Sequence, residues 1–361
     1  MNNSVTAEDE AYLLRAVALA EAWVGRTAPN PAVGAVCVRE GRILGEGAHH
    51  GAGLSHAEVN ALCACSEDPA GATLYVTLEP CSTTGRTPPC CDLIRAKKLG
   101  RVVIGCLDPN PRHAGRAVAL LEEAGIEVSV AEGALEARCK DLAAPFVKAI
   151  TKGLPYVRLK LAMTLDGYLA DAMGSSQWVT GPEARRWVHQ LRAKVDAVMV
   201  GAGTVRADHP NLQPRLENLP PAPPQPPRVR VLVDGCHPIE QMDIDANTLV
   251  ASRDLGYDGK DLEGMLRALC ARGVNDVLCE GGGRLGAALL EAGLVDELDL
   301  FYAPKILGDP AGVRGLPIAP RALAQALRLH PFAVERLGED TLVRLKPDAA
   351  LDAPAARTTD A

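Results

Sequence analysis

Three residues of types that bind zinc stand at spacings that suit a single ion. His56 and Glu58 belong to an H-A-E triplet, Cys81 follows Pro80, and Cys90 closes the segment CSTTGRTPPC. One imidazole and two thiolates form a donor set that favours zinc, and three protein ligands leave the fourth tetrahedral position for water, as in a catalytic site. Zinc lowers the pKa of that water to about 7. Expelling an amine from an aromatic ring also needs a carboxylate that takes the water proton, hands it to the ring nitrogen and later protonates the leaving amine. Glu58, two residues from His56, suits that role: beside the ion without ligating it. In a regular helix, positions i and i+2 point about 200° apart. Both can face one ion only if His56 stands at the entrance of the helix, and the preceding GAGLS loop allows this. Cys91 adjoins Cys90 and is a competing ligand; Cys63 and Cys65 read as packed thiols.

A second constellation is rich in glycine. Residues 275–288, NDVLCEGGGRLGAA, read as a strand, a Gly-rich turn and a helix. Glycines let backbone N–H groups approach a phosphate, and the helix N-terminus adds a favourable dipole. Arg284 would add charge, and a second turn, Gly201-Ala202-Gly203-Thr204, also follows an apolar strand. Two such turns on neighbouring strand ends would form a crevice fit for a dinucleotide. Neither is the G-x-G-x-x-G fingerprint, so a Rossmann domain is not indicated.

The elements that must position these groups follow from periodicity and breakers. Residues 9–25 read as a helix broken by Asn30-Pro31, and strands follow at 32–38 and 42–47. A helix at 56–65 precedes a strand at 72–78, which ends in Glu79-Pro80-Cys81. Helix 90–98, strand 101–106, helix 115–124 and strand 126–130 complete an α/β unit that closes near 145. A second unit reads as strand 156–163, helix 182–193, and strands 195–200, 228–234 and 247–251. Helix 260–272, strand 275–279 and helix 284–292 follow. Six of the nine residues 219–227 are proline, so that stretch is an extended surface loop. The expected domains are 1–148 and 149–348, with a disordered tail at 349–361.

Composition limits the function classes. The chain has 361 residues, 47% hydrophobic and 23% charged, enough apolar material for two cores. A net charge of −7 and only 3% aromatic residues disfavour nucleic acid as a partner. No apolar run is long enough to span a membrane. The polar, acidic start MNNSVTAEDE lacks the order of a secretion signal, so a cytoplasmic location is expected. Eleven scattered cysteines, an odd number, favour buried thiols or metal ligands over disulfides.

The order H-x-E, then P-C at a strand end, then a cysteine opening a helix is the zinc nucleobase deaminase pattern, here with a longer gap between the cysteines. Residues 29–36 (PNPAVGAV), 55–58 (SHAE), 77–91 (TLEPCSTTGRTPPCC) and 108–112 (DPNPR) resemble the deaminase half of the bifunctional riboflavin-biosynthesis deaminase/reductase family. Residues 158–170, 174–182, 191–212 and 279–308 are similar to its reductase half. The resemblance implies a cytidine-deaminase-like zinc domain followed by a dihydrofolate-reductase-like domain that uses NADPH. It also implies a phosphorylated ribosylamino-pyrimidine substrate, which is deaminated and then reduced in its sugar. Asn30 would contact the ring and Arg86 the phosphate. Ala162, Trp178, Thr204, Asp208 and the turn Gly282, Gly283, Arg284, Leu285, Gly286 would contact NADPH. Ser176, Arg192, Leu212, Arg215 and Glu280 would hold the reductase substrate, with Lys160 near the sugar. Paired arginines suit a phosphorylated ligand. Homo-oligomerisation through the reductase is expected.

The sequence departs most clearly from the family's pattern in two places, with smaller departures at Ala117 and Pro210. Thr83 and Thr84 stand where the family carries a histidine after the first cysteine, and Gly235-Cys236-His237 replaces a D-S pair and an arginine. Thr83 and Thr84 keep one rival open, a reductase with a weakened or repurposed deaminase domain. An RNA-binding zinc module would be revealed by salt-dependent RNA binding. A nucleoside deaminase would be revealed by a lack of NADPH binding.

Overall fold

The computed structural model describes residues 5–84, 88–110, 114–215, 228–234 and 244–348. These fall into two compact units. One runs to Pro155 and takes in Gly273–Asn275; the other takes Tyr156–Arg272 and the chain from Asp276 onward.

The first unit contains α1 (Ala7–Glu21), β1 (Gly34–Arg39), β2 (Arg42–Ala48), α2 (Ala57–Cys63), β3 (Thr73–Val76), α3 (Cys90–Ala96), β4 (Arg101–Ile104), α4 (Arg116–Glu123), β5 (Glu127–Val130) and α5 (Gly133–Lys152). Its sheet has the order β2-β1-β3-β4-β5. The first three strands are antiparallel neighbours and the last three are parallel. Alternation along the strands sends their residues to two cores. Leu74, Val76, Val102 and Ile104 meet α2, α3 and α4 on one face. Val36, Tyr75 and Val103 meet α1 and α5 on the other. The chain therefore covers both faces of the sheet with helices.

Two features of this unit bear on the site. A side chain at Gly47 would lie 2.3 Å from the Ala61 nitrogen, so β2 can accept α2 only where it has none. Thr6 caps α1 in a reciprocal pair with Asp9. Asp9 is buried and also accepts from Tyr75 Oη (2.8 Å) and Arg101 Nη1 (2.7 Å), which ties the first helix to two central strands.

The second unit contains β6 (Tyr156–Thr164), β7 (Tyr168–Ala170), α6 (Pro182–Arg192), β8 (Ala197–Gly201), α7 (Ala202–Asp208), β9 (Val229–Val233), β10 (Thr248–Val250), α8 (Ala251–Asp254), α9 (Leu262–Cys270), β11 (Asp276–Cys279), α10 (Gly283–Glu291), β12 (Glu297–Ala303), β13 (Val313–Arg314), β14 (Leu329–Leu337) and β15 (Asp340–Pro347). Its main sheet has the order β10-β9-β8-β11-β6-β12-β15-β14. It is parallel from β10 to β12 and antiparallel beyond. Charged residues are paired within it. Arg158 reaches Asp276 (3.1 Å) and Glu297 (2.5 Å), while Arg344 reaches Asp299 (3.2 Å) and Glu297. Trp187 of α6 packs edge-on against Phe301, with ring centroids 5.4 Å apart.

The expected boundary at 148/149 falls inside α5. That helix runs on to a left-handed Gly153 at φ +65°, the residue that closes it. The turn at 201–204 is also more ordered than a turn, because Ala202 begins α7. The expected tail 349–361 and the whole proline-rich stretch 219–227 lie outside the described residues.

Candidate active sites in the two units

His56 is the N-cap of α2 with extended backbone (φ −70°, ψ 163°), and Glu58 stands in the first turn. This is the helix-entrance placement that lets two residues, i and i+2, face one point. Cys81 lies just beyond β3, and Cys90 is the first residue of α3, with Pro89 as its N-cap. His56 Nδ1 stands 3.5 Å from Cys81 Sγ and 3.3 Å from Cys90 Sγ. All three donor atoms lie within 4.8 Å of one another. Tetrahedral zinc with bonds of 2.0–2.3 Å separates its ligand atoms by roughly 3.5 Å, so the donor set fits that ion. Cys91, the competitor, is 1% exposed, with its thiol toward the Pro80 carbonyl (3.9 Å). It packs in the helix-covered core.

Electrostatics point the same way. The hydrogen bond from Cys90, with help from His56, holds the Cys81 thiol down at about 4. The same contact pushes Cys90 up, since two close thiols share one proton. A cation among them would take that proton's place. The Cys90 amide also donates to Cys81 Sγ at 3.2 Å. The hydrogen bond with Cys81 raises His56. Burial raises the Glu58 carboxyl above the usual carboxylate range.

His56, Glu58 and Cys81 line one cavity together with Asn30, His49, Leu78, Glu79, Asp108, Asn110 and Phe146. Asn30 Nδ2 meets His49 Nε2 at 3.0 Å, and His49 Nδ1 meets the Ser55 carbonyl at 3.0 Å. The carbonyl can only accept, so Nδ1 carries the hydrogen and Nε2 accepts from Asn30. Burial holds the His49 pKa below its ordinary value, in keeping with that neutral ring. Sequence reasoning missed His49; the available signal was the His-His pair at the end of β2. Trp23 stacks on His50, with centroids 4.1 Å apart. Arg86 lies outside the described residues.

In the second unit, β8 and β11 are parallel neighbours, and both glycine turns lie at the same strand ends. A side chain at Gly281 would meet the Gly201 nitrogen at 2.4 Å, so only glycine lets these turns touch. The Gly282 amide donates to Thr204 Oγ1 at 3.0 Å, and Leu285 lies against Gly201. Gly283 opens α10, with Arg284 exposed beside it, and Asp208 is exposed at the end of α7. Gly286 is buried, and a side chain there would meet Leu159 at 2.9 Å, so the lack of one lets α10 pack closely on β6.

Arg192 and Glu280 form a bidentate ion pair, Nε–Oε1 2.5 Å and Nη2–Oε2 3.0 Å. Burial alone would raise Glu280, but Arg192 and Lys160 hold it below its usual value. Burial lowers Lys160. His189 accepts the Arg215 amide at 3.2 Å, a partner of that group which the sequence reading did not include. Leu212 is 1% exposed within the apolar core, which leaves only its backbone for a ligand. Trp178 is 62% exposed, with the Arg185 guanidinium 4.3 Å from its ring centroid. Lys305 Nζ holds the Trp178 and Val179 carbonyls at 2.8 Å each, a role that no motif announced. Ser176 accepts the Val179 amide in the same segment, and Ala162 packs beside Phe301. Residues 235–237 lie outside the described residues.

Comparison with known proteins agrees with this two-part layout. Residues 6–106 match the family model "Cytidine and deoxycytidylate deaminase zinc-binding region", and residues 155–343 match "RibD C-terminal domain". The riboflavin biosynthesis protein RibD of Escherichia coli is 40% identical over 94% of this chain and 99% of its own. That of Aquifex aeolicus is 39% identical over 94% and 98%. Among solved structures, Acinetobacter baumannii RibD superposes with a TM-score of 0.84 at 37% identity, covering 94% of this chain and 99% of the other. A diaminohydroxyphosphoribosylaminopyrimidine deaminase/5-amino-6-(5-phosphoribosylamino)uracil reductase from Thermotoga maritima gives 0.82 at 36%, with the same coverage. The chain belongs to the RibD family of riboflavin-biosynthesis enzymes, its first unit a cytidine-deaminase-like zinc domain and its second a dihydrofolate-reductase-like domain that uses NADPH.

Proposed function

We propose that the first unit hydrolytically deaminates 2,5-diamino-6-ribosylamino-4(3H)-pyrimidinone 5′-phosphate. The second then reduces the ribosyl group of the product to ribityl with NADPH. The observation that carries the reading is the meeting of His56, Cys81 and Cys90 at two helix entrances, with buried Glu58 beside them and not among the ligands. Zinc held by these three would supply the Lewis acidity that activates water near neutral pH. Glu58 does the proton work. Its raised carboxyl accepts a proton from the water and delivers it to the ring nitrogen, then takes the proton of the added hydroxyl and gives it to the departing amine as the carbonyl forms. Asn30, held through Nδ2 by His49, keeps its Oδ1 for an amino group of the substrate. Arg86 takes the phosphate.

In the reductase the cofactor brings the hydride and the protein orients both reactants. The touching turns of β8 and β11, with Thr204, Gly282, Gly283, Arg284 and Leu285, receive NADPH, as do Ala162, Trp178 and Asp208. Arg192 and Glu280 hold the substrate with Lys160, Ser176, Arg215 and the Leu212 backbone. Arg192 and Arg215 serve the phosphate. No described helix is long and apolar enough to cross a membrane. The enzyme is assigned to the cytoplasm, and its chains associate through the second unit.

The test is ammonia release from the diaminopyrimidine phosphate by zinc-replete protein without NADPH. Release abolished by chelation is expected. A second reading, motivated by Thr83 and Thr84, is a reductase whose zinc domain has lost its chemistry. Folded, zinc-loaded protein that releases no ammonia yet oxidises NADPH with the deaminated substrate would establish that reading instead.

A further inference from the structure

We propose that Glu79 is a positioning residue for the deaminase substrate, its carboxylate fastening the segment that carries Asp108 and Asn110 to the edge of the cavity. Glu79 is 5% exposed, two residues before Cys81. Oε2 accepts the amides of Asp108 (3.1 Å) and Gly115 (2.9 Å), and Oε1 accepts that of Ala117 (2.9 Å). Its own amide donates to the Cys106 carbonyl at 2.9 Å. One residue thus holds both ends of the stretch from 106 to 117. The opening amides of α4 have no side-chain cap of their own, because the N-cap is Gly115 at φ +75°. Glu79 provides that cap from a different part of the chain, with charge-assisted bonds at the positive end of the helix.

The consequence concerns substrate rather than metal. Asp108 and Asn110 line the cavity beside Glu58 and Cys81, yet neither belongs to the cluster of His56, Cys81 and Cys90. Glu79 also lines this cavity, and through its three backbone bonds it sets where Asp108 and Asn110 stand relative to the ligand set.

The proposal rests on the deaminase reading above. Its test is steady-state deamination by full-length Glu79→Gln, with zinc content and reductase rate measured on the same preparation. Glutamine keeps the size but turns an NH2 group toward a backbone N–H. A rise in KM of about tenfold or more is expected, with kcat changed only a few-fold, one zinc per chain and the reductase rate intact. Asp108→Ala should also raise KM, and Glu79→Gln should add little to it in the double variant. An unchanged KM in either single variant, zinc lost from Glu79→Gln, or costs that simply add would overturn the proposal. If the unaltered enzyme released no ammonia, the deaminase reading itself would fall and take this role with it, before any variant is compared.

Discussion

The two units build their sites in opposite ways. The first gathers its chemistry into residues 56 to 90, at the entrances of α2 and α3 and just past a strand end. The second spreads its candidate contacts from Lys160 to Lys305, and much of what it offers is backbone: touching glycine turns, two carbonyls held by a lysine, one buried ion pair. The difference follows from who brings the reactive group. Where the protein must hold a metal and move a proton, only particular side chains will do. Where a cofactor carries the hydride, shape and orientation suffice, and many sequences can supply them.

Removing the metal should separate the units most sharply. Chelation, or Cys81→Ser, should reduce ammonia release to background and leave NADPH oxidation with the deaminated substrate unchanged; a parallel loss of both rates would break the comparison. Glu58→Gln should lower ammonia release about 10²–10⁴-fold while metal analysis still finds one zinc per chain. Zinc lost with the carboxylate would make Glu58 a ligand instead.

In the second unit, Arg192→Ala leaves the Glu280 carboxylate, with an 8% exposed side chain, without its fork. A loss of about 3–5 kcal/mol from the unfolding transition of that unit is expected in urea, together with loss of reductase activity. Ammonia release should persist.

The smallest effect is expected at Asp9. Burial would raise its carboxyl, but hydrogen bonds from Arg101, Thr6 and Tyr75 prevail and hold it at about 2. Because the folded value lies below the unfolded one, the stabilisation is full above about pH 4 and fades as pH falls toward 2. Asp9→Asn should therefore cost about 2 kcal/mol at pH 7, and the gap should close on acidification. A gap that does not vary with pH would mean that Asp9 acts through packing alone.

The same asymmetry explains what could be read without coordinates. Elements with strong periodicity and clear breakers were legible to within a few residues, such as 182–193 against Pro182–Arg192 and 101–106 against Arg101–Ile104. The cluster of His56, Cys81 and Cys90 was legible because these residue types are rare and their order is specific. Helix α5 was not read at all, since Pro145 inside it reads as a breaker although the helix continues through it. Strands β12, β14 and β15 were overlooked because charged residues interrupt them, and their partners become visible only once Arg158 and Arg344 are seen to bridge the strands. His49 had no spacing rule to mark it; its part depends on Asn30, nineteen residues earlier. Glycine runs point to a crevice but not to which member touches what, so Gly281 went unnoticed.

The scarcity of aromatic residues has a practical consequence. The chain has three tryptophans, and they stand in three distinct surroundings. Trp23 stacks on a histidine in the first unit, Trp178 is 62% exposed in the second, and Trp187 packs edge-on against Phe301. Each should emit with its own colour and quenching. Variants that retain one indole at a time would let intrinsic fluorescence follow either half of the enzyme in unlabelled protein.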